Sequence, residues 1–361
     1  MRVGFILPDL RGGGAERVNL DLAKEFHKRG LTVTFFLCHA DGEFLEEASN
    51  YFAIEDLRCT RLSALPSRLL DPIRKASLDA SIAAMWPLTC YGAVACKLSN
   101  PRMRVLVSEH NRLSSQYSGK GPLHRAWLRA SAYVGYRAAD ARVGVSNDVA
   151  QDMAQLSAMN SCHFDVINNP VSIQRCSVIN DDFDVEQVWG VKRGRRLLTV
   201  GSLKKQKNQK LLIDAFSQIA NEVDRLVILG EGPMRCELER FAEEKKVASQ
   251  IFFAGFKSDV RPYYETADLF VLSSDFEGFG NVIVEALAAG LPVVSTREGG
   301  PAEIVNSENL GRLVQSGDAR ALGKAVEQVS QITFDKTILK KRADDFSAAK
   351  AADAYLRLVE R

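Results

Sequence analysis

The sequence predicts an α/β protein of two Rossmann-like parallel-sheet domains facing a central cleft, and three observations predict it. The chain has 361 residues, more than twice the usual single-domain size, which implies two cores of roughly 150 to 200 residues each. It opens strand, glycine loop, helix, strand, the order of a doubly wound sheet. A second alternating series begins after residues 171–194, which have mixed polarity and no clean period. The expected division is therefore a first domain at 1–170, a linker at 171–194 and a second domain at 195–345. A closing helix near 346–361 could pack back onto the first domain.

In the first domain, Arg2 to Leu7 is an apolar strand, Arg11 to Gly14 a tight loop, and Ala15 to Arg29 a helix stopped by Gly30. Further strands are expected at Leu31 to Cys38 and near Ala80 to Met85, Met103 to Ser108 and Ala141 to Val145. In the second domain the expected strands are Arg196 to Gly201, Arg225 to Leu229, Gln250 to Ala254, Asp268 to Ser273 and Pro292 to Thr296. Helices at Asn208 to Asn221, Met234 to Lys246 and Phe279 to Ala289 separate them. Phe346 to Arg361 reads as amphipathic.

Composition excludes several classes. Hydrophobic residues at 46% and charged residues at 25% fit a soluble globular chain, not a disordered one. A formal charge of +2 argues against a generic nucleic-acid binder. Seven scattered cysteines without a Cys-x-x-Cys pair indicate neither a disulfide framework nor a zinc site, and are read as reduced thiols of a cytoplasmic protein. The amino terminus has too few apolar residues for a signal-peptide core, and no run approaches ~18 apolar residues, so any membrane contact is expected to be peripheral.

Four segments carry possible chemistry. Gly12-Gly13-Gly14 precedes a helix start, where backbone amides can approach an anion; the pattern is not G-x-G-x-x-G, and a purely structural turn fits it equally. Ser108-Glu109-His110-Asn111-Arg112 ends a strand, where open α/β sheets place ligands, although a lone histidine is often only a structural hydrogen bonder. Gly201-Ser202-Leu203 followed by Lys204, Lys205 and Lys207 sets cations at another strand end, suited to phosphate oxygens or simply solvated. The segment from Asp275 to Leu287 carries most weight. Glu277 belongs in a glycine-rich loop, and Glu285 lies within an apolar helical run where an unpaired carboxylate is costly. The helix start would present the amides of Phe279, Gly280 and Asn281 to a diphosphate, with Glu285 on a ribose diol and Glu277 on a sugar.

Glu277 and Glu285 form an E-x7-E pattern. With Gly-Gly-Ala-Glu at 13–16, Gly-Ser-Leu at 201–203, Lys207-Asn208, Gly-Glu-Gly-Pro at 230–233, Gly255-Phe256 and Gly-Gly-Pro-Ala-Glu-Ile at 299–304, the chain resembles the retaining family 4 glycosyltransferases of GT-B fold. Ser-Glu-His at 108–110 and Glu-Gly-Phe-Gly-Asn-Val at 277–282 are most similar to bacterial transferases adding N-acetylgalactosamine to polyprenyl-diphosphate-linked glycans. The resemblance implies that His110 and Glu277 are the catalytic pair, His110 meeting the donor sugar near the reaction centre. It implies that Gly13, Gly14, Ser202, Lys207, Phe256, Glu277, Gly278, Phe279, Gly280, Asn281 and Glu285 bind the donor. Glu16, Glu109, Asn111 and Arg112 are assigned to the acceptor. Many relatives carry Arg at the position of Ser202, so one phosphate contact is absent here or is supplied by Lys204 or Lys205.

The expected donor is a UDP sugar, an N-acetylhexosamine such as GalNAc, and the expected acceptor a polyprenyl-diphosphate-linked or other glycan. No metal or other cofactor is expected: no Asp-x-Asp stands near a strand end, and Asp182-Phe183-Asp184 falls in the linker. Residues 58–142 hold fourteen Lys and Arg against four Asp and Glu, a net +10, which leaves −8 for the rest. Arg68, Arg74 and Lys75 alternate with Leu69, Leu70 and Ile73, and Arg125, Arg129 and Arg137 with Trp127, Leu128, Tyr133 and Tyr136. Such segments suit an anionic leaflet or a lipid diphosphate, placing the protein peripherally on the inner face of the plasma membrane. Two other readings share the architecture, a nucleotide-sugar 2-epimerase and an inactive transferase-like nucleotide-sugar sensor.

Overall fold

The computed structural model describes residues 1–59, 64–171 and 183–360. The chain divides into two compact units, residues 1–172 with 346–361, and residues 173–345. Residues 172–182 of the expected linker lie outside the described residues, and with them Cys176 and Asp182, as does Arg61.

The first unit runs β1 (Arg2–Leu7), α1 (Gly14–Lys28), β2 (Thr32–Leu37), α2 (Leu45–Ser49), β3 (Ala53–Asp56), α3 (Leu65–Ala76), β4 (Ala80–Ala84) and α4 (Leu88–Ser99). It continues with β5 (Arg104–Glu109), α5 (Leu113–Gln116), α6 (Pro122–Ala138), β6 (Ala141–Gly144), α7 (Asn147–Ser157) and β7 (Asp165–Val166). All seven strands are parallel, in the order β3-β2-β1-β4-β5-β6-β7. The strands are near-continuous apolar runs because helices cover both faces of a parallel sheet. Phe5 and Phe35 stack at 5.3 Å on neighbouring strands, within a core that includes Phe26, Ile82 and Leu106.

The second unit runs α8 (Val185–Trp189), β8 (Arg196–Val200), α9 (Gln209–Ile219), β9 (Arg225–Leu229), α10 (Arg235–Glu244), β10 (Ile251–Gly255), α11 (Arg261–Thr266) and β11 (Leu269–Leu272). Then follow α12 (Asn281–Ala289), β12 (Val293–Thr296), α13 (Pro301–Ile304), β13 (Gly311–Val314), α14 (Ala319–Ser330) and α15 (Lys336–Asp344). Its sheet is parallel, in the order β10-β9-β8-β11-β12-β13. The last helix, α16 (Ala348–Val359), belongs to the first unit. There Ala352, Tyr355 and Leu358 join the core, and the Val171 amide donates to the Phe346 carbonyl at 2.9 Å.

The strand orders decide where ligands can sit. The direction of winding reverses between β1 and β4 in one sheet and between β8 and β11 in the other, and crevices open at the carboxyl ends of such strand pairs. Strands β3, β7 and β13 were not expected: β3 and β13 are edge strands with mostly half-exposed or exposed residues, and β7 has only two. The helix expected from Phe279 starts at Asn281, because Gly280 caps it with φ +101°, outside helical geometry. Among the described residues no helix is long and apolar enough to cross a membrane.

Candidate functional site

In the second unit the loops after β8 and β11 meet at the winding reversal. The first makes a tight turn over Lys205–Lys207, and Asn208 caps α9, its side chain accepting from the Leu211 amide. The second loop is laced to it: the Asp275 amide donates to the Gln206 carbonyl at 2.8 Å, and the Gln206 amide side chain to the Phe276 carbonyl at 2.9 Å. Asn208 Nδ2 donates to Asp275 Oδ1 at 2.7 Å, and Ser273 Oγ to the Lys207 carbonyl at 3.1 Å.

This lacing brings Lys207 onto Glu277. The ammonium donates to both carboxylate oxygens, at 2.7 and 2.9 Å, and Ser274 Oγ donates to Oε1 of the same buried carboxylate. The Glu277 backbone is pinned to the loop after β12 by the Glu277 amide on the Glu298 carbonyl and the Gly300 amide on the Glu277 carbonyl. Gly299 permits that approach: at φ +88° its missing Cβ would lie 2.0 Å from the Glu277 carbonyl oxygen.

Glu285 sits half-buried on α12 and accepts from the Tyr264 hydroxyl of α11 at 2.9 Å. Burial pushes the Tyr264 phenol well above its ordinary value and the neighbouring carboxylate adds to it, so this tyrosine stays a donor. Tyr264 and Ser274 were missed by the sequence reading. The cost of an unpaired Glu285 signalled that a partner exists but not which element supplies it.

The other expected donor contacts lie nearby. Gly278, Phe279, Gly280 and Asn281 form the approach to α12. The Phe279 ring is buried, so only its backbone is available to a ligand. Ser202 offers its carbonyl to Gln209 Nε2 at 3.2 Å, Lys204 and Lys205 are exposed, and Phe256 stands exposed after β10.

In the first unit, Gly13 caps α1 and Gly14 is its first residue; the Gly12 amide donates to the Glu43 carboxylate. Glu16 lies in the first turn of α1, where the helix start favours a carboxylate. His110 follows β5 and is only 6% exposed. Its Nδ1 lies 3.2 Å from Asn169 Oδ1, and its Nε2 lies 3.4 Å from both Asn19 Nδ2 and Ser108 Oγ. Ser108 Oγ in turn meets the Tyr355 hydroxyl of α16 at 2.9 Å. Only an acceptor faces Nδ1, so Nδ1 carries the proton and Nε2 is the acceptor. Burial pulls the imidazole down to about 4, partly opposed by Asn169, so His110 is neutral at physiological pH.

The acceptor role expected of Glu109 is corrected by its surroundings. It is 1% exposed and receives the Trp86 amide at 3.0 Å, the Tyr136 hydroxyl at 2.8 Å and the Thr89 hydroxyl. Burial pushes its carboxyl up to about 7 against these bonds. Glu109 therefore organises the floor under β4 and α6 instead of meeting a ligand. Asn111 and Arg112 are half-buried beyond it, Arg112 paired with Asp148 at 3.4 Å. Tyr136 and Arg137 also leave the expected basic face, Tyr136 into the core and Arg137 onto the carbonyls of Ser157 and Ala158 at the end of α7.

A family model described as glycosyltransferase family 4 matches residues 12–175, and one described as glycosyl transferases group 1 matches residues 183–346. The lipopolysaccharide core biosynthesis glycosyltransferase LpsE of Rhizobium meliloti is 34% identical over 168 residues, 45% of this chain and 49% of the relative. The chain thus spans about half the length of that relative. An N-acetyl-D-galactosaminyltransferase of Campylobacter jejuni, named for a GalNAc-GalNAc-diNAcBac-PP-undecaprenol acceptor, is 25% identical over 99% of this chain and 98% of the relative. Among solved structures, Anabaena Alr3699/HepE in complex with UDP superposes with a TM-score of 0.83 over 100% of both chains at 21% identity, a likeness of fold.

Proposed function

The chain belongs to the glycosyltransferases of GT-B fold, and from that premise we propose that it is a retaining, metal-independent transferase. It moves an N-acetylhexosamine, GalNAc in our reading, from a UDP sugar to a lipid-linked glycan in cell-surface glycan biosynthesis. The observation that carries this reading is the Lys207 ammonium held by Glu277 across the winding reversal of the second sheet, beside the start of α12.

Cleavage of a sugar–diphosphate bond develops negative charge on the leaving group. Lys207 and the amides at the start of α12 would meet that charge without reorganisation, which is why no metal is invoked. Glu285, steadied by Tyr264, would accept hydrogen bonds from the ribose diol. Glu277, engaged by Lys207 and Ser274, suits a hydrogen bond to a sugar hydroxyl better than nucleophilic attack. Retention then proceeds by front-face attack: the acceptor hydroxyl forms the new glycosidic bond, the bond to diphosphate breaks, and the acceptor proton passes to a departing diphosphate oxygen. His110, neutral and with Nε2 as acceptor, would receive a hydrogen bond from a sugar hydroxyl and would not transfer protons.

The UDP in the neighbouring solved structure supports the donor base, and the name of the Campylobacter relative supports both the sugar and a polyprenyl-diphosphate acceptor. The basic charge of residues 58–142 supports an acceptor presented at the inner, anionic face of the plasma membrane. Thermal-shift screening against nucleotide sugars, followed by transfer to an undecaprenyl-diphosphate glycan, tests the reading. UDP-GalNAc should give the largest shift and support transfer that disappears in Glu277→Ala. Preference for a GDP sugar would reject the donor, and turnover of a UDP sugar without acceptor to its 2-epimer would reject the transferase.

A further inference from the structure

Helix α16 reaches His110 through one hydroxyl. The helix is tied to the first unit by side chains of two other elements: Arg29 pairs with Asp353 at 2.6 Å and donates to the Ala349 carbonyl at 2.9 Å, and Arg104 Nε donates to the Leu358 carbonyl at 2.9 Å. Ala351, Ala352, Leu358 and Val359 bury one face of it in the core. These contacts fix the register at which Tyr355, itself 3% exposed, sets its hydroxyl 2.9 Å from Ser108 Oγ. Ser108 is fully buried, with its Oγ 3.4 Å from His110 Nε2.

A neutral imidazole has two tautomers, and a serine can serve either: its hydroxyl donates to a bare Nε2 or accepts from an Nε2–H. Tyr355 removes that ambiguity. Burial pushes its phenol up to about 12, so it keeps its proton, and among the described residues Ser108 is the one hydrogen-bond partner its hydroxyl meets. A buried O–H that donated to nothing would be costly, so Tyr355 donates to Ser108. With Tyr355 donating, the acceptor left for the Ser108 proton among the described residues is Nε2. Asn19 Nδ2, which donates to the Ala15 carbonyl at 2.8 Å, has a second hydrogen for the same ring nitrogen at 3.4 Å. Asn169 Oδ1 takes the proton on Nδ1.

We propose that Tyr355 is a positioning residue for His110: acting through Ser108, it holds the imidazole with its proton on Nδ1 and its lone pair on Nε2. Both donors stand at 3.4 Å, beyond a good hydrogen bond, so a sugar hydroxyl at closer range takes that lone pair. The reversed ring would present an N–H there instead of an acceptor. The consequence for binding rests on the sugar contact proposed above for His110, whereas the tautomer does not.

Nitrogen NMR of the histidine-labelled full chain reads the tautomer directly, the His110 signal being the one lost in His110→Ala. At neutral pH Nε2 should be unprotonated in the parent, and an Nε2–H population should appear in Tyr355→Phe. In calorimetry Tyr355→Phe should bind UDP-GalNAc about fivefold more weakly and UDP as the parent does, because His110 serves the sugar and not the nucleotide. Ser108→Ala should show the same two changes. Adding Tyr355→Phe to Ser108→Ala should then alter neither the tautomer nor the affinity further, whereas a tyrosine that merely packs would act alike in both backgrounds. An unchanged tautomer in Tyr355→Phe, or an effect of equal size with and without Ser108, overturns the proposal. A shifted tautomer with UDP-GalNAc bound as tightly as by the parent upholds the positioning of His110 and rejects its contact with the sugar.

Discussion

The ammonium of Lys207 bridges both carboxylate oxygens of Glu277, at 2.7 and 2.9 Å, across the two loops at the winding reversal of the second sheet. In the proposed reading, the pair holds the cation for the diphosphate of the donor. Lys207→Ala should lower kcat/KM by roughly 100-fold, with the larger part in kcat, because the lost interaction strengthens as charge develops. It also leaves the Glu277 carboxylate buried without its cation, so the second unit should melt earlier. In a double-mutant cycle with Glu277→Gln, nucleotide affinity should couple by about 1 to 3 kcal/mol. Additive effects would place the two residues in separate roles.

Tyr264→Phe removes the hydroxyl from Glu285 and little else. Stability should fall by about 1 kcal/mol, and UDP should bind several-fold more weakly in calorimetry, since Glu285 loses the contact that orients it. Unchanged UDP affinity would detach Glu285 from the nucleotide.

Gly299→Ala tests the backbone contact under Glu277. A methyl at 2.0 Å from the Glu277 carbonyl, at φ +88°, cannot be accommodated without moving one loop. UDP binding should weaken at least tenfold, while the first unit keeps its thermal transition.

Glu109 and His110 are adjacent and titrate in opposite senses. Glu109 is raised from 4.5 to about 7, so its contribution to stability is fully present below pH 4.5 and is lost as pH rises through 7. His110 is lowered from 6.5 to about 4, so its contribution is fully present above pH 6.5 and is lost as pH falls through 4. Between these limits the two slopes oppose each other. In Glu109→Gln the opposing slope is gone, so from pH 4 to 6.5 the first unit should gain on the order of 2 to 3 kcal/mol relative to the parent. Denaturant titrations at several pH values measure this, and parallel curves would contradict it. The rate of transfer should show no His110 inflection near pH 6.5. Asn169→Asp, which places a carboxylate on Nδ1, should raise the imidazole and introduce one.

Much of the architecture was legible because parallel strands are continuous apolar runs between glycine turns. Ten strands stand out by pattern, whereas β3, β7 and β13 are short or exposed and carry no period. The candidate site was legible where chemistry forces an anomaly: Glu285 in an apolar helix declares a hidden partner. Its identity, Tyr264, depends on how α11 lies against α12, which no local pattern encodes. Glu109 shows the opposite failure. A carboxylate at a strand end looks available to a ligand, yet three donors from the turn after β4, from α4 and from α6 turn it inward. Of the fourteen cations counted in residues 58–142, Lys97 is engaged inside the unit by Asp140 and Arg142 by carbonyls at the end of α6, and the count alone does not show which ones face outward.

The anomeric configuration of the transferred sugar is the most direct test. NMR of the product formed from UDP-α-GalNAc and an undecaprenyl-diphosphate glycan should show an α-linkage, matching the donor and requiring Lys207. A β-linkage, or α-transfer undiminished in Lys207→Ala, would contradict front-face departure of a diphosphate held by Lys207 and the start of α12.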